Sequence, residues 1–231
     1  MKHVLTASRL HLIAFGYTIA WPWLILASSL AINLVIQALL DPASRAQGFS
    51  GGIASIYVVV AVWAYQTIAQ IFPFALGAGV TRRAFAAGTG LVLVLGSLAF
   101  AAVLTVLRYL EGASDGFGVQ LHFFRVPGLV QDNAAAQLVV YAVPFVLLGA
   151  VMMGVGVVHH RWRQHGVFAL SVAVGLLLGA VAALLTWRDA WGAFFDWFAD
   201  SSTLVTMVAL PLLVAALAAA AGYRALLRAT P

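Results

Sequence analysis

His159, His160 and His165 stand together in HHRWRQH, the chain's nearest approach to a metal-binding cluster. No carboxylate stands beside them, no HExxH occurs and the chain has no cysteine, so neither a metal centre nor thiolate chemistry is expected. The cluster reads instead as a basic cytoplasmic loop. A phosphate-binding loop of the form GxxxxGK[ST] needs a lysine, and the only one is Lys2, so nucleotide binding by that route is excluded. No ionisable side chain falls well inside an apolar run, which disfavours an ion-coupled transporter or an intramembrane hydrolase. Arg108, near the end of one run, is expected to snorkel to the interface toward Glu111. Two neutral polar pairs remain, Asn33 with Gln37 and Gln66 with Gln70, each at i, i+4 and so on one helix face. Such faces turn away from lipid, either to bond another helix or to line a path for an amphiphilic substrate; both readings stay open.

The elements that must position these groups follow from composition. The chain has 231 residues, of which 64% are hydrophobic and only 8% charged, far from the balance of a soluble domain. Net charge is +5, yet with one lysine and no basic stripe interleaved with aromatics, nucleic-acid binding is not expected. The pattern predicts a single all-α, polytopic membrane domain over residues 1–231. Six runs are long enough to span: 20–40, 53–76, 84–110, 134–158, 167–187 and 203–223. The apolar region Leu10 to Leu40 exceeds a signal-peptide core and is expected to be retained.

Both termini are predicted to be cytoplasmic. That choice puts Lys2, Arg9, Arg82, Arg83, Arg161, Arg163, Arg224 and Arg228 inside, against Arg45, Arg108, Arg125 and Arg188 outside. Asp41, Glu111, Asp115, Asp132, Asp189, Asp196 and Asp200, the full acidic complement, then all fall outside. Residues 1–19 are expected to form a cytoplasmic interfacial segment, with Pro22 in the first turn of the first span. The loops 111–133 and 188–202 are the sizeable outer segments. In the second, Trp187, Trp191, Phe194, Phe195 and Phe198 share one helical face beside Trp197, the pattern of an aromatic belt or of a re-entrant helix. Gly175 with Gly179 and Ala150 with Gly154 predict close helix approach, while Pro73, Pro144 and Pro211 predict kinks.

The stretch from Phe72 to Gly90, FPFALGAGVTRRAFAAGTG, predicts a cytoplasmic turn over 77–85: Gly77 and Gly79 end one helix, and Thr81 caps the next. Its simplest function is orientation of the chain. In a six-span chain of this size, PFALGAGVTRRAFAAGT also resembles the first cytoplasmic loop of the membrane subunits of bacterial, particularly actinobacterial, ABC exporters of the type-2 permease class. The resemblance implies the type-2 exporter permease fold in the cytoplasmic (inner) membrane. It also implies that Gly79, Val80, Thr81, Arg82, Arg83 and Phe85 form a coupling turn that docks on a separate ATPase subunit. It implies further that Trp191, Phe194, Phe195, Trp197 and Phe198 belong to an outer re-entrant element.

On this expectation the chain is not an enzyme and holds no cofactor; ATP and Mg²⁺ belong to the partner ATPase. A second permease subunit, identical or related, completes the exporter. Asn33, Gln37, Gln66 and Gln70 would line the path of an amphiphilic drug, lipid or peptide. The alternative is a membrane anchor or signalling partner that transports nothing.

Overall fold

The computed structural model describes residues 15–41 and 50–227. Most of the N-terminal interfacial segment, with Lys2 and Arg9, lies outside the described residues, as do Arg45 and Arg228. The described residues are all-helical, with no strand among them. Among the described residues, five helices are long and apolar enough to cross a membrane. Helix α1 is Phe15–Leu39. Helix α2, Gly51–Gly77, opens with a 3₁₀ turn, Gly51–Ile53, and contains a π turn, Thr67–Ile71. Helix α3 is Arg82–Ala113, α4 is Ala134–Trp187, the short α5 is Trp191–Asp200, and α6 is Val205–Leu227. Following the expected orientation, the end carrying Ser114 is termed outer and the end carrying Gly79 inner.

Pro22 does not start a helix. Helix α1 is already formed at Phe15 and runs through Pro22, because one missing N–H costs a single bond while the apolar residues on both sides favour helix. Pro73 and Pro211 are each approached by a π turn, Thr67–Ile71 and Val205–Ala209. The residue before each proline donates its N–H five residues back, Phe72 to the Thr67 carbonyl and Leu210 to the Val205 carbonyl. The widened turn thus absorbs the proline's misfit inside the helix.

Helix α4 has 54 residues, about 80 Å at 1.5 Å per residue, more than twice the ~30 Å hydrocarbon layer. It is not straight. Arg163 has φ 55° and ψ −147°, and a Cβ built on Gly166 would lie 3.2 Å from the Val158 carbonyl oxygen. Eight residues of straight helix would separate those positions by about 12 Å, so the chain folds back here into arms 134–162 and 164–187.

The first arm is the centre of the bundle, contacting α2, α3 and α6. Glycines permit the closest approaches: Gly149 faces Leu93, Gly156 faces Ile68, and Gly222 of α6 meets Gly154. The second arm has no buried residue. Phe168, Leu176, Leu177 and Leu178 are all exposed, and Gly175 and Gly179 have nothing in reach of an added Cβ. Of the two small-residue pairs read from sequence, Ala150–Gly154 lies beside α6 at Gly222, and Gly175–Gly179 has no such neighbour among the described residues.

Two apolar cores hold the bundle. The inner one gathers Ile68, Phe72, Ala75, Phe85, Val157 and Leu226. The outer one joins Leu26, Ile56, Leu104, Tyr141 and Phe145 to Leu121, Phe123 and Phe124, residues expected in an extramembrane loop. Part of that loop turns inward instead. Glu111, wholly buried, accepts the backbone N–H groups of Phe123 (3.0 Å), Phe124 (2.6 Å) and Arg125 (3.0 Å). The Tyr141 hydroxyl donates to the Phe124 carbonyl at 2.5 Å, and Ser50 N–H donates to the His122 carbonyl at 3.1 Å. Once its N–H groups are satisfied by a carboxylate, this loop can bury its aromatic side chains under the outer end of the bundle.

Candidate functional site

The inner turn is built by local hydrogen bonds. Helix α2 ends as Ala78 N–H donates to the Phe74 carbonyl, Gly79 N–H to Leu76 and Val80 N–H to Ala75, each at 3.0 Å. Gly79 sits at φ +81°, a conformation open to glycine at little cost. Thr81 follows as the N-cap of α3, its hydroxyl accepting from Ala84 N–H at 3.2 Å. The expected turn over 77–85 is therefore an ordered, doubly capped tip.

The six residues of the expected coupling turn divide by exposure. Gly79, Thr81 and Arg83 are exposed, and Val80 is half-buried. Phe85 is wholly buried, its ring 5.2 Å from that of Phe72, so it serves as the pin between α2 and α3 and offers no surface to a partner. Arg82 reaches across the chain and donates from Nη1 to the carbonyl of Leu227 at 2.9 Å. A guanidinium on the last carbonyls of a helix satisfies an orphan acceptor and opposes the helix dipole. One arginine thus ties the turn to α6 while the other is exposed.

Behind the turn lies a cavity of about 350 Å³. Its floor is the first arm of α4 and its walls are α3 and α6. Three small pairs at i, i+4 line it: Ala86 with Gly90, Ala150 with Gly154, and Ala218 with Gly222. Among the described residues Arg83 is its only charged lining residue. Sequence reasoning missed this site. The signal was present as the same small-residue spacing on three helices, but only the α4 pair was read, and as a packing motif.

The polar residues expected along a path do not assemble. Asn33 accepts from the Ser50 hydroxyl at 2.6 Å near the outer end, and Gln37 is buried one turn beyond. Gln66 and Gln70 are exposed on α2, and sixteen or more residues of helix separate them from Ser50, roughly 20 Å or more. None of the four lines the cavity. Arg108 forms no ion pair with Glu111, whose two oxygens are taken by backbone N–H groups; its guanidinium lies 4.8 Å from the Tyr109 ring centroid, and its Nε is buried without a partner.

At the outer end α5 carries the aromatic ladder: the Trp191 and Phe195 rings stack at 5.9 Å, Phe194 and Phe198 meet at 5.0 Å, and Trp197 and Phe198 at 4.9 Å. Trp191 Nε1 donates to the Thr186 hydroxyl at 3.0 Å, fixing α5 to the end of α4. All ten residues of α5 are exposed, and ten residues make only about 15 Å of helix, too short to cross a bilayer. His159 and His160 pack on the rings of Tyr65 and Phe72, and no group of three metal-ligating side chains occurs among the described residues.

Comparison with protein-family models, curated proteins and solved structures finds no match to this chain.

Proposed function

We propose that this chain is the transmembrane subunit of an ATP-driven exporter of the type-2 ABC permease class. It crosses the bacterial inner membrane six times, pairs with a second permease subunit and is powered by a separate ATPase that binds ATP and Mg²⁺. The observation that carries the reading is the inner turn: a capped tip with an exposed Arg83, tied to α6 by Arg82 and to α2 by the Phe72–Phe85 contact. A partner pushing on this tip moves three helices together. Six crossings follow if both arms of α4 span, since each is long enough on its own. The second arm and α5 leave their surfaces, Gly175 and Gly179 included, available to a second subunit. The cargo is amphiphilic, because the one cavity described above joins an apolar lining to a cation.

The test is co-purification in mild detergent. Ala78 is exposed at the tip and does not line the cavity, so Ala78→Trp is chosen to obstruct docking and leave the cavity open. An ATPase that accompanies the wild-type chain should be lost from Ala78→Trp and from Arg83→Glu. Retention of the ATPase by both variants would remove the turn as the docking site. Arg82 is a poor probe of docking, since its charge reversal also breaks the contact with α6.

A further inference from the structure

The cavity behind the inner turn has features that orientation and docking do not use. Among the described residues its lining is mostly apolar, the polar side chains being Arg83, Thr89 and Tyr223, and no acidic side chain lines it. From Arg83 to Leu93, both in the lining, α3 rises ten residues, about 15 Å, so the space runs from the inner end into the apolar zone of the bundle. Its volume of about 350 Å³ is at the low end of the ~300–1,000 Å³ of small-molecule sites. Arg82 is held by Leu227, whereas no hydrogen bond or ion pair is formed by Arg83 among the described residues. Small residues hold the cavity open: a Cβ added to Gly90 would meet nothing within 4 Å.

We infer that this cavity binds an amphiphile with one apolar tail and an anionic head, carboxylate or phosphate, the tail between α3, α4 and α6 and the head on the Arg83 guanidinium. An arginine fork matches both head groups through paired N–H donors. A single tail suits a narrow space walled by helices, and an anion suits a mouth whose one charged side chain among the described residues is Arg83. The inference deepens the transport reading by naming the substrate class. Binding is a property of this chain without its ATPase, so it is measured apart from docking.

The purified chain in phosphatidylcholine nanodiscs is photolabelled with a diazirine-bearing laurate and the adducts are mapped by mass spectrometry. Saturable labelling at Leu93 and Met153 is expected. Excess laurate and dodecyl phosphate should each compete, separating the two head-group sources by their relative potency, while dodecanol should compete at least tenfold less well. Gly90→Leu on one wall and Ala218→Leu on the other should each abolish labelling at Met153, and Arg83→Gln should erase the preference for anions over dodecanol. Undiminished Met153 labelling in both filling variants, or equal competition by dodecanol in the wild type, would overturn the inference. Ala78→Trp should bind the probe like wild type even where it loses the ATPase, so failure of one idea is not failure of the other.

Discussion

Glu111 is a carboxylate that does the work of a fold element. With no ion-pair partner among the described residues, it gathers three consecutive N–H groups of the 123–125 backbone, and the loop they belong to closes the outer core. Glu111→Gln turns one oxygen into an NH₂ that faces another N–H and removes the charge from the remaining bonds. The expected loss is about 2–4 kcal/mol, read as a lowered unfolding midpoint in detergent. Arg108→Met should cost clearly less, because it removes a buried cation whose Nε has no partner and which gives up only its contact with the Tyr109 ring. Equal losses would mean that the two residues act as an ion pair after all. Sequence reading brought Arg108 and Glu111 together because they are oppositely charged and three residues apart. What it cannot display is a partner made of backbone N–H groups, which carry no residue identity. The same blindness hides Phe123 and Phe124, which read as loop aromatics until the carboxylate that satisfies their N–H groups is placed.

At the scale of elements, the long apolar runs were legible because a bilayer imposes a minimum length on any helix that crosses it; five described helices cover them, the runs 134–158 and 167–187 lying in the one helix α4. The inner turn was legible for a similar reason, since Gly79 and Thr81 have backbone roles that few residues fill. The break in α4 was not. HHRWRQH was expected as a loop between two spans, yet its residues all accept helix, and the chain reverses through one strained residue, Arg163. Its φ and ψ lie close to the region reserved for glycine, at a cost of order 1–3 kcal/mol for any other residue. Arg163→Gly should therefore stabilise the protein by about 1 kcal/mol, whereas Arg161→Gly, two residues earlier in regular helix, should destabilise it by about as much. Opposite shifts in the unfolding midpoint are the expected result. Shifts of the same sign would argue that the reversal is not localised at Arg163. The cavity escaped sequence reading on a different ground, since three small-residue pairs far apart in the chain become one site only when α3, α4 and α6 are packed.

For the whole molecule, the decisive variable is how often the chain crosses the membrane, because it determines whether the inner turn and the α4 reversal face the same compartment. The ends of the bundle differ chemically: Arg82, Arg83, Arg161, Arg163 and Arg224 cluster at one, and Glu111, Asp115, Asp189, Asp196 and Asp200 at the other. Short cytoplasmic loops carry the arginine excess, so both inner loops should be cytoplasmic. The sequence has no cysteine, which makes each introduced one a clean reporter. Ser114→Cys and Gly192→Cys, both exposed positions, should react with a membrane-impermeant maleimide in intact spheroplasts. Ala78→Cys and Gln164→Cys, also exposed, should react only after lysis. If Gln164→Cys instead labels from outside while Ala78→Cys stays protected, the arms of α4 do not form two crossings. The two loops then face opposite sides, and an ATPase docked on the tip could not also reach the α4 reversal. Labelling of Ala78→Cys from outside would be more damaging still, since a turn facing away from cytoplasmic ATP cannot be where an ATPase docks.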